Sequence, residues 1–127
     1  MIVRSIKDST AVIEHNGTVP IWDLLDPNEL RRKTEGGFLE LICEMHIIAG
    51  GAMGAHHHPT HEYYYVIEGE GRMQIAAEER VVRSGDLIYI PPDVTHALKP
   101  TTDSGTMRVF VFAIGLPGAP SVERERN

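Results

Sequence analysis

Four histidines and a glutamate fall within seven residues, from His56 to Glu62. By residue type this is metal chemistry, because imidazole nitrogens and carboxylate oxygens are donors that first-row divalent ions accept. His56 and His58 are two apart, and in an extended chain side chains two apart point to one face. Glu62 follows at an even offset from both. Two imidazoles and a carboxylate on one face make three ligands, and a fourth must come from elsewhere. His57 and His61 have the opposite parity, which places them outside or at the rim. Pro59 can shift that register, so His61 stays a candidate base beside the metal or a substitute ligand. Tyr64 shares the parity of Glu62 and is the other candidate for acid/base work, through its phenol.

The elements that must hold these residues read as strands. In the run from Phe38, the residues Leu39, Leu41, Cys43, Met45 and Ile47 share one face, with Glu40, Glu44 and His46 on the other, which predicts a half-buried strand. Gly50, Gly51 and Gly54 form a bend that leads into the histidines. From Glu62 to Ile90 the pattern is strand and turn repeated, with turns at 68–71, 77–79 and 84–86. Pro91-Pro92 stops the last of these strands. Two further strands are expected over 95–99 and 106–114. Upstream, 2–6 and 11–14 read as short strands, with Asn16-Gly17 as turn chemistry after the second. Asp26 as N-cap, Pro27 at the first helical position and Glu29 behind it predict a short helix or 3₁₀ turn over about 27–33. Trp22, Leu24 and Leu25 read as packing residues. Cys43, the one cysteine, reads as core filling and excludes an intramolecular disulfide.

Composition narrows the function. The chain has 127 residues, a length suited to one domain, and its 42% hydrophobic residues suffice for one core. Glycine and proline are frequent, with 12 and 8 copies, which suits many short elements joined by turns. The net charge of −6 gives no basis for binding nucleic acid or an anionic membrane. No apolar run approaches the roughly 18 residues of a membrane span. The N-terminus lacks the apolar core of a signal peptide, so a cytoplasmic location is expected.

Spacing carries the argument further. Gly50 lies six before His56, Glu62 four after His58, and Gly69 seven after Glu62. Gly85 lies six before Pro91, and His96 five after Pro91. With these residues the chain resembles the cupin superfamily, in its small single-domain form. The first cupin motif, G-x5-H-x-H-x(3,4)-E-x6-G, is matched in full by Gly50, His56, His58, Glu62 and Gly69. The second, G-x5-P-x-G-x2-H-x3-N, is matched by Gly85, Pro91 and His96. Asp93 stands where that motif prefers Gly, and Pro100 where it prefers Asn. Asp tolerates a left-handed backbone better than most residues, so the turn can survive.

The resemblance implies an all-β fold, a cupin jelly-roll β-barrel with one short N-terminal helix or 3₁₀ turn. It implies a single domain over 1–120, with N-terminal strands and the short helix in 1–37 and the core barrel in 38–115. The charged stretch 121–127 is expected to be a disordered tail. The resemblance also implies that His56, His58, Glu62 and His96 face inward onto one divalent transition metal per chain. Three imidazoles and a carboxylate suit Fe, Mn, Co, Ni, Cu or Zn. One ligand charge against the metal's two leaves the site at about +1, which should attract an anionic substrate. Met45, Met53 and Met73 read as pocket wall or core, and Arg72 and Gln74 as surface residues that could bind a carboxylate if they faced in. The expected function is metal-dependent chemistry on a small carboxylate, enol or diol, by Lewis-acid or dioxygen chemistry. The alternative is a non-catalytic metal- and ligand-binding module. Small cupins commonly pair through their sheets, and Ile2, Ile6, Val12, Ile13 and Trp22 make the N-terminal segment apolar enough to do so, so a homodimer is expected.

Overall fold

The computed structural model describes residues 2, 6–29 and 38–120. Ten strands account for most of them: β1 (Val12–Glu14), β2 (Val19–Asp23), β3 (Leu39–Ile47), β4 (Met53–His56), β5 (Thr60–Glu68), β6 (Glu70–Ile75), β7 (Glu78–Arg83), β8 (Leu87–Ile90), β9 (His96–Pro100) and β10 (Met107–Gly115). They form two sheets, in the orders β1-β2-β3-β10-β5-β8 and β4-β9-β6-β7, with every pairing antiparallel. From β3 to β6 the chain crosses between the sheets at each turn, and it does so again from β7 to β10. This is the all-β jelly-roll barrel expected from the sequence. Among the described residues, no helix is long and apolar enough to cross a membrane.

Period-two alternation puts one face of each strand inside. β10 alternates buried and part-buried along nearly its whole length, and β5 buries Thr60, Glu62, Tyr64 and Val66 in turn. Ile47, Val66, Ile90, Leu98 and Val109 fill the space between the sheets. The turns follow their chemistry. The motif glycines Gly50, Gly69 and Gly85 have φ of 78°, 95° and 92°, in the left-handed region where a Cβ is penalised. Asp93, where the cupin motif prefers Gly, takes φ 58° and keeps the corner.

Several expectations need correction. The strand over 2–6 does not form as read: Ile6–Asp8 is a 3₁₀ turn, Ile2 is irregular, and residues 3–5 lie outside the described residues. Strands β2 and β4 are additional to the sequence reading, which took Gly54 as part of a bend; in β2, Pro20 is a residue that argues against a strand. Pro20 faces Ile13 of β1, and the ladder to β3 begins one residue later at Ile21, so its missing N–H costs no bond there. The chain is helical at 27–29, where the Asp26 carboxylate accepts from the N–H groups of Asn28 (2.9 Å) and Glu29 (3.2 Å). The remainder of that predicted helix, and the tail 121–127, lie outside the described residues. On β3 the polar face is not exposed, since Glu40 and Glu44 are buried. Burial pushes the Glu44 carboxyl up, and contacts from Arg108 and His46 outweigh it, leaving its pKa lowered.

Candidate metal centre

His56 closes β4, and His96 opens β9 directly across from it in the ladder. Two histidines distant in sequence thus become a cross-strand pair, with ring centroids 4.3 Å apart. His58 is not in a strand. It sits in the turn between β4 and β5, and its carbonyl accepts a 2.7 Å hydrogen bond from the Asp93 N–H. That bond ties the histidine turn to the corner leading into β9. His56 and His58 therefore converge through a turn, and not by strand alternation. The ligand atoms of His56, His58 and His96 lie within 4.8 Å of one another. Glu62, on the inner face of β5 in the other sheet, reaches across. Its Oε1 is 3.6 Å from His58 Nε2 and its Oε2 is 3.5 Å from His96 Nε2.

The local hydrogen bonds fix how the rings present themselves. His56 Nδ1 donates to the Gly54 carbonyl at 2.7 Å, and His96 Nδ1 donates to the Val94 carbonyl at 2.9 Å. A carbonyl only accepts, so each Nδ1 carries a proton, and in the neutral ring Nε2 keeps its lone pair. Burial, only partly offset by the Gly54 carbonyl, holds the His56 pKa down to about 4, with His96, His58 and His15 adding to the shift. His56 is therefore neutral at neutral pH. Burial raises the Glu62 carboxyl, but the contact with His96 and the charges of His58, His96 and His56 lower it by more. Glu62 is ionised.

Glu62 Oε2 and His96 Nε2 are both buried and neither has a hydrogen-bond partner. Two orphaned polar atoms facing each other in a core are costly. A water, a proton or a cation between them would relieve that cost. With the three imidazoles gathered beside the carboxylate, one divalent cation would satisfy all four groups at once, and the donor set fits first-row metals. The adjoining cavity is small, about 20 Å³, room for the centre of about one water-sized particle.

The cavity wall differs in part from expectation. Tyr64 is buried and lines it, its hydroxyl donating to Met53 Sδ at 3.4 Å and its ring 6.1 Å from His96. Met45, Met53 and Cys43 line it as well, so Cys43 is wall as well as core. Met73 is core but not part of this wall. His61 is not brought to the group. Its parity puts it on the opposite face of β5, with Nδ1 2.7 Å from the Tyr89 hydroxyl. His57 is an exposed rim residue, 3.5 Å from the Asp93 carboxylate. Arg72 and Gln74 point outward from β6. Two polar wall residues escaped the sequence reading. Glu14, the last residue of β1, is buried against the cavity, and His15, which follows it, packs its ring 4.8 Å from His56. Nothing local marks them, because they arrive by folding of the N-terminal hairpin onto β4.

Comparison with known proteins agrees with this architecture. The family model described as the cupin domain matches residues 43–113, and the chain belongs to that family. An uncharacterized protein of Methanocaldococcus jannaschii is 33% identical over 88 residues, covering 68% of this chain and 66% of that protein. Among solved structures, a predicted oxalate decarboxylase from Thermotoga maritima superposes with a TM-score of 0.74 at 21% identity, covering 91% of this chain and 100% of that one. A Cupin 2 conserved barrel domain protein from Salinispora arenicola gives 0.71 at 17% identity, covering 92% and 91%. The structure of FeII HppE gives 0.72 at 14% identity, covering 90% of this chain and 60% of that one. At these identities the structural likeness is one of fold.

Proposed function

We propose that this cupin holds one divalent transition metal per chain on His56, His58, Glu62 and His96, and that it is an enzyme acting on a small oxygen-rich substrate. The observation that carries the reading is the buried, unpartnered pair Glu62 Oε2 and His96 Nε2, set among three converging imidazoles. Bound there, the metal supplies Lewis acidity or, if it is iron, dioxygen chemistry. The chain's own residues set the rest. The Tyr64 hydroxyl lies on the cavity wall and donates to the Met53 thioether, a weak acceptor, which makes it the candidate to give a proton to a substrate oxygen. Glu14 adds a second carboxylate to the cavity wall. A cytoplasmic setting without nucleic-acid or membrane partners belongs to the same proposal.

The small cavity supports one second reading, a non-catalytic module in which the metal anchors a ligand at the surface. Metal analysis of protein purified without an affinity tag, followed by oxygen uptake with simple carboxylates and catechols, separates the two. Iron with substrate-dependent oxygen uptake supports an oxygenase. Tight zinc without uptake points to lyase or isomerase chemistry. Protein never exposed to chelators and yet free of metal refutes the ligand assignment.

We further propose a homodimer built on the outer face of the six-stranded sheet. Tyr63 stacks on Phe112 there (4.6 Å, 7°), next to Tyr89, and Tyr65, Leu87 and Tyr89 are exposed. A contiguous aromatic face of this kind is what protein interfaces use.

A further inference from the structure

We propose that His15 is a positioning residue for the metal centre, holding His56 in place through the backbone of Gly54; this rests on the metal reading above. The contacts form a chain. The Gly54 N–H donates to His15 Nδ1 at 3.2 Å, and the Gly54 carbonyl accepts from His56 Nδ1 at 2.7 Å. One peptide residue is thus gripped from both sides by imidazoles. The His15 ring also meets the His56 ring edge-on, at 4.8 Å and 60°.

Each link constrains the next. An N–H can only donate, so His15 Nδ1 must present a lone pair, which places the His15 proton on Nε2. Anchoring the Gly54 N–H restrains the Met53–Gly54 peptide and so the Gly54 Cα, from which the next peptide presents the carbonyl that accepts from His56 Nδ1; that tautomer leaves His56 Nε2 as the donor atom for metal. Gly54 needs such an anchor. The β4–β9 ladder pairs Met53 and His56 but is irregular between them, so the sheet does not hold Gly54 in register. The anchor itself sits at φ 51°, followed by Asn16 at φ 58°. A histidine held in the left-handed region costs energy that a glycine would avoid. The turn bears this cost at a residue that touches both Gly54 and His56.

The experiment compares His15→Phe and His15→Asn with the unaltered protein, using Co(II) as the probe. Phe keeps a ring against His56 but cannot accept from Gly54. Asn restores an acceptor and tolerates φ above zero. His15→Phe should lower Co(II) affinity by about 10–100-fold and change the visible Co(II) spectrum. It should also disturb the His56 Nδ1-H tautomer seen in the ¹⁵N imidazole shifts of the metal-free protein. His15→Asn should recover most of each. If His15→Phe does not fold, His15→Ala removes the same acceptor. Unchanged affinity, spectrum and tautomer in the acceptor-free variant overturn the proposal. If the unaltered protein takes up no Co(II), the metal reading fails, and the metal-free tautomer measurement still decides the role of His15.

Discussion

His96→Ala tests the site most directly, because His96 lies on a different strand from the 56–62 cluster and is 1% exposed. Its ring packs against His56, His58 and Tyr64 at 4.3, 5.8 and 6.1 Å. Truncation removes one of four ligands and opens a hole between the sheets. By analogy with other large-to-small core changes, the metal-free protein should lose about 2–4 kcal/mol. At roughly 3 °C per kcal/mol for a domain of this size, Tm should fall by about 6–12 °C. The metal effect is separate. In the unaltered protein, free metal at 100 times Kd should add about 2.7 kcal/mol, a rise of about 8 °C. In His96→Ala that rise should vanish at the same metal concentration, because loss of a direct ligand exceeds the about 10–100-fold typical of outer contacts. His58→Ala should behave alike, and His61→Ala should keep the full rise. Thermal melts with and without Zn(II), backed by competition with a chromogenic chelator, read both effects. A His96→Ala protein that binds metal as tightly as the unaltered chain would refute the four-residue site.

Other tests probe the rest of the molecule. His56 has its pKa lowered to about 4, so between pH 4 and about 6.5 the unfolded chain binds more protons than the folded one. Stability of the metal-free protein should therefore rise with pH across that window and level off above it, with Glu62, also lowered, adding a loss at the acid end. Denaturant melts at a series of pH values should show this, and a flat profile would contradict it. Gly69→Ala places a Cβ 2.2 Å from the Thr106 carbonyl at φ 95° and should cost on the order of 3 kcal/mol or more, whereas Gly85→Ala, with nothing within 4 Å, should cost about 1 kcal/mol. Equal midpoints in urea would contradict the difference. Light scattering should find a dimer, and Tyr89→Arg, on the exposed aromatic face, should shift it towards monomer. A clean monomer for the unaltered chain refutes the dimer.

The strands that were legible in the sequence are those whose signals are local. Tyr64 in and Tyr63 out, the turns after Glu68 and Ser84, and the left-handed glycines all follow from side-chain alternation and backbone sterics within a few residues. The four residues of the candidate site were legible for a different reason. Their spacing matched a pattern shared by a family, although the physical account of that spacing was incomplete, since His58 reaches the site from a turn. β2 was illegible because Pro20 argues against a strand unless its neighbours are known.

By itself, then, the sequence determined the all-β class, most strand boundaries and which histidines share a site. Only the tertiary structure decided what surrounds them. The hydrogen bond from Gly54 to His15 spans 39 residues, and burial of Glu14 against the same cavity depends on the N-terminal hairpin docking there. Such contacts depend on which strands become neighbours. Periodicity reports the face a side chain takes on its own strand, and it carries no information about the strand that will lie opposite.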